Sequence, residues 1–206
     1  MRIHELRSNP NLNTKTNTVD VIKKYHLQYG DKLYVHFSRV QKIGINPKYN
    51  WDFTPAGLYA KPAEEAIYDL ESSYFYKSYK YATLLIPSDN SKILNLSTAN
   101  QYTLDNLMRL AYNYYKKKEG IDDKRLQPIL GQNAKETWNK IIGIFVDLWH
   151  KDKRSPFYWN SIVRKLGYNV LMDNHGIINE EYTTQIVFLT PDSYRIIAQE
   201  PIRLTS

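Results

Sequence analysis

The chain has 206 residues, a net charge of +7, 18 tyrosines and no cysteine. That length suits one domain with a substantial core, and the missing thiols exclude disulfides, thiolate zinc sites and cysteine nucleophiles. No apolar run approaches membrane-spanning length, and the polar start MRIHELRSNPNLNTKTNT has no apolar signal core, so a cytoplasmic protein with no membrane partner is expected. Basic charge interleaved with aromatic planes suits nucleic acid, which needs phosphate neutralisation and stacking surfaces. A soluble protein that is simply basic, or one with an acidic partner, accounts for the charge equally well.

In chain order, residues 1–17 read as a flexible lead. TVDVIKKYHLQY (18–29) reads as a helix ending at Gly30, with Thr18 as its N-cap. DKLYVHFSRV gives the first strand. The stretch QKIGINPKYNWDFTPAG, dense in Gly, Pro and Asn, is too long for a plain connection and is a candidate functional loop. LYAKP is extended, and PAEEAIYDLESSY reads as a helix with Pro62 in its first turn. KYATLLIP and KILNLS are strands around the turn signal PSDNS.

TANQYTLDNLMRLAYNYYKKKEG reads as a helix, with Leu104, Leu107, Met108, Ala111 and Tyr115 tracing one face. Further helical pieces fall at about 121–130, 133–150 and 156–166, the last stopped by Gly167. Trp138, Ile141, Ile142, Phe145, Leu148 and Trp149 form an apolar stripe that reads as core. NVLMDN, TTQIVFL and YRIIAQE return the chain to strands. Strands, a helical middle and strands again give an α+β domain, with residues 98–166 inserted between the halves of a sheet.

Several chemistries are excluded. There is no GxxxxGK[ST] loop, no Gly-rich dinucleotide turn, no GxSxG elbow, and no metal-binding spacing among His4, His26, His36, His150 and His175. His36, in YVHFS, is on its own simply a polar residue on a strand.

Three segments, in order, change that reading: YVHFS (34–38), GLYAKPAEEAIY (57–68) and TTQIVFLTPDSYRII (183–197). Together they resemble the ADP-ribosyltransferase superfamily, on its diphtheria-toxin and poly-ADP-ribose-polymerase side. His36 and Ser38 match its first motif, and Gly57, Leu58 and Tyr59 match its second, with Tyr68 as the helix tyrosine. Gln185 falls at the third position, where the family usually has glutamate. The resemblance covers roughly residues 31–97 and 166–199.

What the resemblance implies is a split antiparallel β-sheet core with a helical insertion, NAD as co-substrate and no metal. His36 would hydrogen-bond the adenosine ribose or the amide end, and Ser38 a ribose hydroxyl. The backbone at Phe37 or Gly57 would hold the nicotinamide amide, and Tyr59 and Tyr68 would sandwich its ring. Tyr74 or Tyr76 can take the second tyrosine's role, because the interval from Tyr59 to Tyr68 is short for the family.

Gln185 keeps a hydrogen bond but has neither charge nor basicity. Glu180, Glu181 and Asp173 lie nearby in sequence and can supply the carboxylate. Thr183 stands where arginine-modifying relatives are acidic, so arginine is not the expected acceptor. The implied function is mono-ADP-ribosylation of a macromolecule, nucleic acid (RNA or DNA) ahead of protein. The setting is a bacterial or phage toxin or effector, with an antitoxin where it is a toxin. The alternative is a catalytically inactive module of the same fold that binds nucleic acid or an acidic protein.

Overall fold

The computed structural model describes residues 17–45, 56–72, 78–119, 155–173 and 184–204, with short pieces at 133, 135–137 and 139–140. The described strands are β1 (Tyr34–Ser38), β2 (Leu58–Pro62), β3 (Tyr81–Pro87), β4 (Ile93–Asn95), β5 (Val170–Asp173), β6 (Gln185–Phe188) and β7 (Tyr194–Pro201). They form one seven-stranded sheet in the order β4-β5-β6-β2-β1-β3-β7, antiparallel except for the parallel pair β4–β5. The helices are α1 (Thr18–Tyr29), α2 (Ala63–Ser72), α3 (Gln101–Glu119) and α4 (Ser155–Lys165). The fold is α+β, as the order of elements predicts.

Each element answers to its local sequence. The N-cap of α1 is Asn17, not Thr18: the Asn17 side chain accepts from the Val19 N–H at 3.2 Å. Thr18 instead fastens the helix to the C-terminal segment, its hydroxyl accepting from the Arg203 N–H at 2.7 Å. Gly30 closes the helix with φ +56°, and Gly167, following α4, takes φ +88°, both left-handed conformations that favour glycine. In α3, Leu104, Leu107, Met108, Ala111 and Tyr115 are all buried, so the one-sided apolar spacing marks the true core face. The expected helix at 121–130 and most of 133–150, including the Trp138 stripe, lie outside the described residues, as does most of the long loop before Gly57.

The sheet is not flat. In the strand order, β6 and β7 are four steps apart, about 19 Å at ordinary strand spacing. Yet the rings of Phe188 (β6) and Tyr194 (β7) have centroids 5.3 Å apart, and Phe188 also meets the edge of Tyr34 (β1) at 6.4 Å. The sheet therefore folds over on itself. The fold encloses an inner core of Tyr34, Leu58, Ala60, Leu85, Val170, Ile186 and Phe188.

Helices cover the outer faces. α1 and α2 pack over β1 and β3 through Val19, Ile22, Ala66, Leu70, Val35 and Leu84. α3 and α4 pack over β4, β5 and β6 through Leu107, Met108, Ile162, Leu94, Leu171 and Val187. The hinge between the halves is the β1–β2 seam, whose registered pairs are Tyr34↔Pro62 and Val35↔Lys61.

Gly57 meets β6 closely. A Cβ there would sit 2.8 Å from the Phe188 carbonyl oxygen and collide with the Val187 side chain. Only glycine fits without moving β6, so Gly57→Ala is expected to destabilise the protein by about 1–3 kcal/mol. Gly44→Ala, into open space, should change it little. Chemical denaturation of the two variants checks this.

Candidate functional site

The site is built where β1 and β2 part. Side chains alternate along each strand. Val35 and Phe37 face the α1/α2 core, while Tyr34 faces the inner core, and parity places His36 with Tyr34. On β2, Leu58 and Ala60 face inward, whereas Tyr59 packs against the α3/α4 core.

The backbone alternates too. The Ser38 carbonyl accepts from the Lys80 N–H at 2.8 Å on the β3 side, and the Leu33 carbonyl accepts from the Ala63 N–H at 3.1 Å on the opposite side. Phe37 shares the parity of Leu33, so its amide and carbonyl point toward β2, beyond the last registered β1–β2 pair.

Across that parting, the His36 imidazole reaches the Tyr59 carbonyl, Nδ1 to O at 2.7 Å. A carbonyl only accepts, so Nδ1 carries the proton and Nε2 is left as an acceptor. Burial pushes the His36 pKa down, opposed by the Tyr59 hydrogen bond. The ring is neutral at physiological pH. Ser38 is buried, and its hydroxyl donates to the Val40 carbonyl at 2.7 Å, turning the chain out of β1.

The other expected residues fall differently. Tyr68 lies on α2 and is 70% exposed. Tyr59 directs its ring into the helical core, so a stacking pair with Tyr68 requires movement of one ring. Gly57 is spent on its approach to β6. Gln185 is buried at 6% exposure and sits in register with Asp173, itself 1% exposed. By parity Gln185 faces outward with Val187, whereas His36 faces inward, and Thr184 has the inward parity. Tyr74, Tyr76, Glu180, Glu181 and Thr183 lie outside the described residues.

One group was not singled out by sequence spacing. Glu65, on the first turn of α2, accepts from the Thr184 N–H through Oε1 at 3.1 Å. Its Oε2 is closed off from solvent and has no hydrogen-bond partner. Nearby on the same helix, Asp69 pairs with Lys61 Nζ at 2.8 Å. Glu65, Lys61, Asp69, Gln185 and Asp173 thus line a polar strip beneath α2. Among the described residues, no group of three or more His, Asp or Glu side chains is placed to hold a metal, and no helix is long and apolar enough to cross a membrane.

No family model matches the chain, and no curated protein or solved structure shows significant similarity to it.

The neutral His36 carries a pH signature. The unfolded chain takes up a proton on this residue near pH 6.5, while the folded chain resists it to lower pH. The unfolded state therefore binds more protons in that window, and stability falls as pH drops below about 6.5 until the folded group also titrates. Urea denaturation at pH 7 and pH 5 should show a larger loss for the wild type than for His36→Asn, which can still donate to Tyr59.

Proposed function

We propose that the protein is an NAD-dependent mono-ADP-ribosyltransferase acting on a macromolecule, with RNA or DNA ahead of protein as acceptor. The observation that carries this reading is the His36 imidazole lodged where β1 and β2 part, with Nδ1–H given to the Tyr59 carbonyl and Nε2 left as an acceptor. An acceptor nitrogen in that position suits a ribose hydroxyl, which must donate. The sheet that folds over at β1–β2 agrees with the split sheet implied by the resemblance.

The chemistry asked of the site is bounded. NAD must be held bent with its nicotinamide glycosidic bond exposed, and the oxocarbenium-like ribosyl cation must be stabilised and shielded from water. In this reading Ser38 shapes the turn beside the ribose, the Phe37 backbone faces the amide of nicotinamide, and Tyr68 offers an exposed ring for stacking. The net charge of +7 favours a polyanionic acceptor. A base amine needs less deprotonation than a hydroxyl, which suits glutamine at position 185.

A second reading, a non-catalytic module binding nucleic acid or an acidic protein, is favoured by two placements. The Tyr59 ring is packed into the helical core, and Gln185 faces away from His36.

Incubation with NAD labelled in its adenylate half and a cell lysate separates the two. The transferase reading expects nicotinamide release and acid-insoluble label that RNase or DNase removes and protease does not; protease-sensitive label would move the acceptor to protein. Neither release nor label leaves the binding module. His36→Ala should cut labelling at least tenfold. Tyr68→Ala, at an exposed position, should leave Tm unchanged and raise the KM for NAD by about three- to tenfold, the worth of one aromatic stack.

A further inference from the structure

We infer that the open end of β1 carries a binding surface for single-stranded nucleic acid, made of the Tyr81 ring with Arg39, Lys42 and Lys80 around it. The inference rests on the nucleic-acid acceptor in the reading above and gives that strand its place beside His36.

Tyr81 opens β3 and pairs in register with Ser38, at the end of β1 where β2 has already parted. On β3, Ala82 and Leu84 face the α1/α2 core and Leu85 faces the inner core. Parity therefore turns Tyr81 to the inner face, the face of His36. His36 pairs with Thr83, so Tyr81 is its diagonal neighbour. Such neighbours lie about 7–8 Å apart, within reach of an aromatic side chain. Tyr34 and Tyr59 are packed in or against cores. Tyr81 is half-buried but belongs to none of the three apolar cores. Among the described residues no aromatic ring lies against it.

Backbone contacts gather the cations around this ring. Lys80 directly precedes Tyr81, and its N–H donates to the Ser38 carbonyl at 2.8 Å. Arg39 directly follows Ser38. Lys42 follows Gln41, whose carbonyl accepts from Gln199 Nε2 at 2.6 Å; the same nitrogen donates to the Thr83 hydroxyl at 2.9 Å. The segment leaving β1 is thus tied back to β3 and β7 beside His36. Arg39, Lys42 and Lys80 are all exposed, and among the described residues none is in an ion pair. Glu200, on the adjacent part of β7, is in register with Ala82 and so faces the outer side. Cations gathered without counter-charges repel one another, and a polyanion relieves that repulsion.

The ring decides which polyanion. Phosphates neutralise the cations, and an unpaired base offers its face to the ring. A duplex or an acidic polypeptide would meet the charges and leave the ring unused. The combination selects a single strand, with its phosphates along Arg39, Lys42 and Lys80 and one base on Tyr81.

The test is fluorescence anisotropy of the full-length protein without NAD, at several salt concentrations. The probe is a labelled single-stranded oligonucleotide of about 12 residues, within the usual site size. A duplex of the same sequence and polyglutamate are the comparisons. The single strand should bind about tenfold more tightly than the duplex, through the added stack. Replacing all three cations (R39Q, K42Q and K80Q together) should leave Tm unchanged and lower the salt slope by about 2, at about 0.7 per phosphate contact. Tyr81→Leu keeps apolar bulk without a ring, and should weaken binding about 5- to 150-fold, the worth of one base stack. The exposed charge variants read the surface independently of any effect of Tyr81→Leu on folding. A triple variant with wild-type affinity and slope overturns the surface. So does a duplex bound as tightly as the single strand, or a wild type that binds polyglutamate and not the oligonucleotide. If the wild type labels RNA in the lysate assay while these variants bind as it does, the surface alone is wrong. If the strand binds as expected and no nicotinamide is released from NAD, the surface stands and the transferase reading alone is wrong.

Discussion

The hydrogen bond from His36 to the Tyr59 carbonyl is the contact on which the rest of the molecule turns. Two central strands that stop pairing expose backbone donors and acceptors in the protein interior, and each one left unmet costs about 1–3 kcal/mol. Beyond Val35↔Lys61 the registered ladder ends. There the Tyr59 carbonyl accepts from a side chain, the His36 imidazole. That hydrogen bond lets the sheet fold over without an orphaned carbonyl, and it fixes the tautomer of the imidazole. The aromatic rings filling the fold, Tyr34, Phe188 and Tyr194, hold the two halves in that relation.

The same bend divides the chemistry between two faces. His36 lies on the inner face with Ala60 and Ile186. Lys61, Gln185 and Asp173 lie along the outer face under α2, where Asp69 and Glu65 descend from the helix. Lys61 and Gln185 come together because the β2–β6 register, Ala60↔Ile186, carries one step further. A polar row is tolerated there because α2 starts immediately after Pro62 and brings its own charged side chains down onto the row. The apolar cores of α1/α2 and α3/α4 lie on either side of it.

Much of the fold was legible in the sequence, and the reasons are local. The apolar stripe of α3 is one-sided because one face is buried along its length, so spacing alone identifies it. Gly30 and Gly167 mark helix ends because their left-handed backbone excludes most other residues. Thr18 misleads as a cap because Asn17 stands beside it, and which of two neighbouring polar residues caps is decided by the docking of the C-terminal segment. The site was legible in part. His36 is found by its motif, and its partner is a backbone carbonyl that no side-chain pattern announces. The parity of Gln185 depends on a β5–β6 register set by distant residues, and a one-residue slip would reverse it. Glu65 reads as an ordinary solvated helix glutamate, because sequence spacing says nothing of the Thr184 N–H that captures it across 119 positions of chain.

The character of the two open acceptors limits what ligand can satisfy them. His36 Nε2 is unprotonated, and Glu65 Oε2 is closed off from solvent without a hydrogen-bond partner. Both need donors. A phosphate brings only acceptors at neutral pH and satisfies neither. A ribose brings hydroxyl donors, and a nicotinamide brings amide N–H groups. The excess of 28 Lys and Arg over 21 Asp and Glu leaves the chain with a surplus of cations, which any polyanion would meet favourably. Donors suit these two acceptors, which lie on opposite faces of the sheet, while anions suit the surplus of cations, so the two kinds of recognition are separated in the fold.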